Sequence, residues 1–252
     1  AKAFDLVGTA LDEALESVID VDQWMRMYAM HSLAGQLDAY GIDAAQHNIW
    51  LYDHPGTGKI MVLPWDMDFS FYRAINAPLN NNANHPSWNI RKIIHRPSNL
   101  RLFYGHLQDM IQTTYNATYA NAWFTRFGEL ADQNYLRHVT YIEDRANYVS
   151  DQLESLAPQV PFTVTASSPL DVGAQSTVTL EGTGWINVRE IRLGGGTQPL
   201  EIDWRVDTDS AYADTWELTI PVATGTNSYT LEAYDYQGLL IGTSSIDVSS
   251  SM

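Results

Sequence analysis

The stretch QLDAYGIDAAQHNIWLYDHPGTGKIMVLPWDMDFSFY, residues 36–72, decides how this chain is read. Two runs inside it alternate with a period of two. In Asn48–Asp53, Ile49 and Leu51 share one face while Trp50 and Tyr52 share the other, and Lys59–Leu63 repeats the pattern. His54-Pro55-Gly56-Thr57-Gly58 between them is a turn by its Pro and Gly content, so the pair reads as a β-hairpin. Oxygen-bearing side chains sit at its open end. Asn48 precedes the first strand, Asp66 and Asp68 follow the second, and an antiparallel return brings both ends of the hairpin back to one place. Asp38 closes the segment before the hairpin and can reach the same end. Oxygen ligands gathered this way, with no cysteine in the sequence and no His pair at zinc spacing, suit a hard cation such as Mg²⁺.

Ahead of the hairpin, Phe4, Leu6, Leu11, Leu15, Val18 and Ile19 are spaced three and four apart, as an amphipathic helix requires. Asp20 and Gln23 have the form of a capping box opening a second helix, with Val21, Trp24, Met25 and Tyr28 on its buried side. That helix is expected to run to about Asp38, with Tyr40-Gly41 marking its end. Asp38 would then sit at a helix C-terminus, where the dipole disfavours a carboxylate and a cation or water must compensate. Beyond the hairpin, residues 76–89 form an Asn- and Pro-rich polar loop. Helical stripes then return, broken at Arg96-Pro97, through 119–131 and 134–156. The histidines are scattered; His47 beside Asn48 can face the candidate site or hold a structural or surface role, and the others show no metal-cage spacing.

Near Ala157-Pro158-Gln159-Val160-Pro161 helical periodicity stops. Seven strand-like runs follow, about 162–166, 176–182, 188–194, 199–205, 215–221, 228–235 and 239–248, separated by Gly-rich turns. Short strands at this spacing read as an immunoglobulin-like β-sandwich. The fold class is therefore α+β: a mainly helical part with one hairpin, residues 1–158, followed by an all-β sandwich, residues 159–252. Asp203, Asp207, Asp209 and Asp214 in the sandwich are either solvated loop residues or a calcium site.

The formal net charge of −16 argues against nucleic acid or an anionic membrane as main partner. Eleven Lys and Arg face eighteen Asp and Glu in residues 1–158, and three face twelve in 159–252, so neither part is a basic docking surface. With no cysteine there is no disulfide framework, and no apolar run is long enough to span a membrane. Ala1-Lys2-Ala3-Phe4 begins in mid-pattern, which reads as a piece of a longer protein.

Leu37-Asp38-Ala39-Tyr40, His47-Asn48-Ile49-Trp50-Leu51-Tyr52 and Leu63-Pro64-Trp65-Asp66-Met67-Asp68-Phe69-Ser70-Phe71 occur in that order. Together they resemble the central signature of the CotH kinase family, the spore-coat-type atypical protein kinases also found in large exported bacterial proteins. The resemblance runs from about Phe4 to Leu156 and matches the family's second half, a kinase-like C-terminal lobe. It implies ATP and Mg²⁺ as cofactors and a Ser or Thr of a protein as acceptor. It gives Asp38 the role of orienting the acceptor hydroxyl, and Asn48 and Asp66 that of holding the metal on the phosphates, with Asp68 in support. The family continues with a Gly soon after the Trp-Asp motif, where this sequence has Phe71-Tyr72-Arg73. No cationic, glycine-rich or strand-like phosphate grip precedes Asp38, so activity is expected only with an N-terminal lobe supplied. Small sandwich modules follow such domains in exported proteins, which implies an extracellular or cell-surface location. The second function class, a non-catalytic structural or adhesion segment, would use the lobe as a scaffold against a neighbouring surface protein.

Overall fold

The computed structural model describes residues 6–41, 48–80, 89–207 and 210–251; His47, Asp209 and the middle of the 76–89 loop lie outside these. The chain divides into two compact units, residues 1–155 and 156–252.

The first unit opens with α1 (Gly8–Val18), whose Leu11 and Leu15 are buried, and α2 (Val21–Ala34). β1 (Ile49–Asp53) and β2 (Ile60–Pro64) form the antiparallel hairpin, with Ile49 opposite Pro64 and Asp53 opposite Ile60. A 3-10 turn over Met67–Phe69 follows. Then come α3 (Asn89–Ile94), α4 (Pro97–Thr113), α5 (Ala117–Ala131), a second 3-10 turn (Tyr135–His138) and α6 (Val139–Leu156). Pro97 stands at the first position of α4, where its missing N–H costs nothing.

Helix α2 stops earlier than its sequence suggests. Gly35 caps it in the left-handed conformation (φ 57°), its N–H bonded to the His31 carbonyl, so the chain leaves the helix at Ala34. Asp38 therefore lies beyond the helix and not in its last turn, a correction to the reading of Tyr40-Gly41 as the stop. The half-formed capping box is a second difference. Asp20 does accept from the Gln23 N–H at 3.1 Å, but the Gln23 side chain turns to the hairpin and the Asp20 N–H is taken by the Ile60 carbonyl at 3.2 Å.

All four carbonyls of the last turn of α2, which a helix leaves without partners, are bonded from outside the helix. His31 O accepts from the Gln36 N–H at 3.2 Å as well as from Gly35. Ser32 O accepts from the Arg145 guanidinium, Leu33 O from the Tyr115 hydroxyl at 2.5 Å, and Ala34 O from the Phe71 N–H at 2.7 Å. This helix end is the point on which the turn between α4 and α5, α6 and the segment after the hairpin converge.

His31 in the same turn is wholly buried, and neither ring nitrogen has a hydrogen bond among the described residues. Burial pulls its pKa down to about 4. Since the folded value lies below the ordinary 6.5, the stability that neutral His31 confers is complete above about pH 6.5 and is lost as pH falls towards 4. The gap is worth about 3 kcal/mol at most. Urea midpoints measured from pH 7.5 to 4.5 are expected to fall with pH, and His31→Leu to flatten that slope; an unchanged slope would refute the assignment.

The second unit is an immunoglobulin-like sandwich of two four-stranded sheets. One has the order β4 (Leu170–Asp171), β10 (Leu240–Ser250), β9 (Gly225–Tyr234), β6 (Glu190–Leu193); the other has β3 (Thr163–Val164), β5 (Thr177–Thr183), β8 (Thr215–Pro221), β7 (Asp203–Arg205). Alternate residues of the long strands, Val178 and Leu180, Trp216, Leu218 and Ile220, Leu231 and Ala233, fill one core. The two-residue β4 carries no alternation for a sequence to show. Asp203 is engaged by Arg205 at 2.9 Å, and among the described residues no three His, Asp or Glu gather into a metal-holding group.

Candidate active site

Two glutamines build the site. Gln23 on α2 is buried and grips β2 through its backbone: Nε2 donates to Val62 O at 2.5 Å and Oε1 accepts from Val62 N at 2.9 Å. Trp24 Nε1 adds a bond to Ile60 O at 2.9 Å. The helix thus completes the free edge of β2, and the hairpin's open end is fixed relative to the end of α2. There Gln36 Nε2 donates to Asp66 O at 3.0 Å, and Gln36 Oε1 accepts from Leu37 N at 2.8 Å.

The three segments that hold the candidate residues are joined directly. Asn48 Nδ2 donates to Asp38 O at 3.3 Å, and Trp65 N donates to Asn48 O at 3.1 Å, one residue before Asp66. Leu37 N bonds Phe69 O at 3.3 Å, and Arg73 N bonds Gly35 O at 3.2 Å, so the segment after Asp66 lies along residues 34–38. Asp38 is half-buried, and its Oδ1 is shielded from solvent with no hydrogen-bond partner among the described residues. Asn48 is half-buried, while Asp66 and Asp68 are exposed. The structure brings the backbones of Asp38, Asn48 and Asp66 together; Asp68 lines a different cleft.

Four non-glycine residues among those described have positive φ, and three of them are here: Asn48 (63°), Asp66 (53°) and Phe71 (68°). Asn and Asp tolerate this region; a Phe in it is strained. Strain of this kind persists where the surroundings over-determine it and clusters at functional sites. Phe71 is held by its ring, which stacks on His138 (centroids 4.8 Å) and meets Tyr141 (5.5 Å) and Phe124 (6.2 Å) edge-on. A glycine would take the same backbone conformation at no cost. Phe71 thus keeps a left-handed turn and adds an aromatic anchor.

One hairpin face packs on α2 through Val62, and the other is exposed. Trp50, Leu63, Tyr52 and Trp65 line the open face, 43–57 % accessible, with the Trp50 and Trp65 rings 5.3 Å apart. On the far side of the Met67–Phe69 turn lies the second cleft, of about 780 Å³, bounded by Asp68, Phe71 and Tyr72 on one wall and by Phe124, Phe127, Leu130, Tyr135, Arg137 and His138 on the other.

A half-buried amide, a shielded Asp38 Oδ1 with no hydrogen-bond partner among the described residues and a nearby exposed carboxylate can receive a hydroxyl and hold a hard cation between them. Asn48 Nδ2 is spent on Asp38, which leaves Oδ1 as its ligand atom. Among the described residues no three His, Asp or Glu form a metal-holding group, so the described residues offer this cation an amide and at most two carboxylates. That sparse set fits Mg²⁺, which keeps waters and takes the rest of its shell from phosphates. Sequence reasoning missed Gln23 in its clamp role, Gln36 and the anchoring of Phe71; of these only Phe71 left a signal, the absent family Gly.

No curated protein matches the sequence. Among solved structures it is similar to fibronectin(III)-like modules of Clostridium thermocellum CbhA (12 % identity, 36 % of this chain and 99 % of that one, TM-score 0.24). It is also similar to an endo-β-1,4-mannanase of Thermotoga petrophila (11 %, 44 % and 24 %, TM-score 0.27) and to the twitchin kinase region of C. elegans (10 %, 92 % and 56 %, TM-score 0.24). Likeness at this level says nothing of function. The family described as CotH kinase protein matches residues 7–157, the unit that holds Asp38, Asn48 and Asp66. The chain belongs to the CotH kinase family.

Proposed function

We propose that the helical unit is the catalytic lobe of an ATP-dependent protein kinase, transferring the γ-phosphoryl group to a Ser or Thr of a protein acceptor outside the cell or at its surface. The observation that carries this reading is the joining of the Asp38, Asn48 and Asp66 segments by direct hydrogen bonds, with a shielded Asp38 oxygen left to accept. Asp38 receives the acceptor hydroxyl and orients it. Asn48 Oδ1 and Asp66 would hold Mg²⁺, while Asp68 lines the neighbouring cleft and takes no part; bound ATP–Mg²⁺ would supply the phosphoryl group and the charge neutralisation that its transfer needs. The open Trp50–Trp65 face beside Asn48 gives a planar base something to lie on.

Kinases also grip the triphosphate with a cation on a strand-rich segment. Residues 6–37 contain no such strand, since α1 and α2 take them up, so in our reading an N-terminal lobe supplies that grip. ATP–Mg²⁺ titrated calorimetrically onto the 252-residue protein is expected to bind only weakly, and the same protein joined to its N-terminal lobe to bind and label an acceptor. There, Asp66→Ala should remove Mg²⁺-dependent nucleotide binding. Asp38→Asn should lower transfer by about 100-fold or more with binding nearly unchanged. Nucleotide bound equally by the Asp66 variant would overturn the metal assignment. Nucleotide bound with no acceptor labelled would favour the scaffold role instead.

A further inference from the structure

The cleft beyond the Met67–Phe69 turn has features that the phosphoryl-transfer residues do not use. Phe124, Phe127 and Leu130 from α5 line one wall, and Phe127 and Leu130 are 50 % and 75 % accessible. Its opposite wall, Met67 to Tyr72, is bonded through Phe71 N to Ala34 O and through Phe69 O to Leu37 N, one residue from Asp38. That wall of the cleft is thus hydrogen-bonded to the segment that carries Asp38.

Charge is placed asymmetrically in the cleft. Asp68 stands exposed on the wall nearest the candidate site. Arg137 stands exposed on the other, donating from Nε to His138 Nε2 at 3.1 Å, with no carboxylate at ion-pair distance among the described residues. Because His138 accepts that bond, its ring is neutral, and burial and the neighbouring Arg137 both lower its pKa. Arg137 is therefore the cation the cleft presents to an occupant, in a protein of net charge −16.

We propose that this cleft is the acceptor-docking site: it takes an extended segment of the substrate protein with a large apolar side chain among Phe124, Phe127 and Leu130, and an adjacent acidic side chain on Arg137. The identity of the occupant as acceptor rests on the kinase reading; the shape and charge of the cleft do not. Specificity then comes from an apolar anchor plus one opposite charge, with the hydroxyl-bearing residue lying towards Asp38.

Three peptides test this on the 252-residue protein by saturation-transfer NMR without nucleotide: Ala-Ala-Ser-Ala-Phe-Glu-Ala, its Phe-to-Ala form and its Glu-to-Lys form. The first is expected to bind at least tenfold more tightly than the other two. Leu130→Glu removes no core packing and should abolish that advantage, and Arg137→Glu should reverse the preference between Glu and Lys. Equal binding of all three peptides, or a preference unchanged by Arg137→Glu, would overturn the proposal. So would a concentration-dependent dimer that dissolves in Leu130→Glu, since the cleft would then belong to a second copy. Peptide selectivity without phosphoryl transfer by the complete protein would sink the kinase reading alone. Transfer without this selectivity would sink the docking site alone.

Discussion

Arg145→Ala is expected to abolish the folded helical unit near neutral pH or leave it marginal. Arg145 is 1 % accessible and has no carboxylate at ion-pair distance among the described residues. Its guanidinium is held by carbonyls instead: Ser32 O at 3.1 Å, Ile75 O at 2.7 Å and Ala77 O at 2.6 Å, with the Tyr148 ring 5.4 Å away. Burial lowers its pKa, the first of several influences, yet an arginine stays charged at any working pH. The charge is tolerated because oriented carbonyl dipoles, one of them at the C-terminus of α2, surround it. Truncation would strand the buried Ser32 and Ala77 carbonyls and the half-buried Ile75 carbonyl, at about 1–3 kcal/mol for each buried one, and leave a cavity besides. A total near 5 kcal/mol is comparable with the whole stability of many domains. Helical circular dichroism against urea measures it. Arg145→Lys should recover only part of the loss, because an ammonium cannot reach the same carbonyls in a planar fork. An alanine variant with an unshifted midpoint would show that water replaces the guanidinium.

Gly182→Ala should do comparable damage in the sandwich. Gly182 faces inward on β5, directly opposite Trp216 on β8. A Cβ there would fall well inside contact distance of both the Thr163 carbonyl and the Trp216 ring. Neither neighbour has room to yield. Trp216 is 1 % accessible and tied by Nε1 to Thr183 O at 2.9 Å, and Thr163 is fixed by the pairing of β3 with β5. Overpacking of this kind costs about 3 kcal/mol, which in a unit of this size lowers Tm by roughly 12–24 °C. Gly173→Ala is the control. It carries positive φ (59°) but no atom lies within 4 Å of its added Cβ, so only modest backbone strain is expected. Equal melting of the two variants would mean that conformation, not the Trp216 contact, governs Gly182.

The hairpin, the Asp20 cap and the change from helical to strand periodicity near residue 157 were all legible, because each rests on a local pattern. Strand alternation is equally local: Val178 and Leu180 on β5, and Leu218 and Ile220 on β8, alternate with less buried residues and face the core. What stayed hidden depends on long-range partners. Arg145 sits next to Glu143 and Asp144 and looks like one more surface charge, yet it joins residues more than sixty positions away. Gln23 had a complete local explanation as a capping residue, and that explanation concealed its bond to Val62. The end of α2 was misplaced because two glycines, Gly35 and Gly41, both have positive φ, and only the packing at the helix end selects the first.

The Gln23 clamp grips a backbone N–H and a backbone C=O and no side-chain atom of the hairpin. Every amino acid except proline offers the same two atoms, so the attachment is blind to the residue at Val62 and to its neighbours. The anchored face is constrained by burial alone, and the open face around Trp50 and Trp65 by nothing in the clamp. Descendants of this protein could therefore exchange the open-face residues, and with them whatever that face recognises, while the hairpin keeps its place beside Asp38.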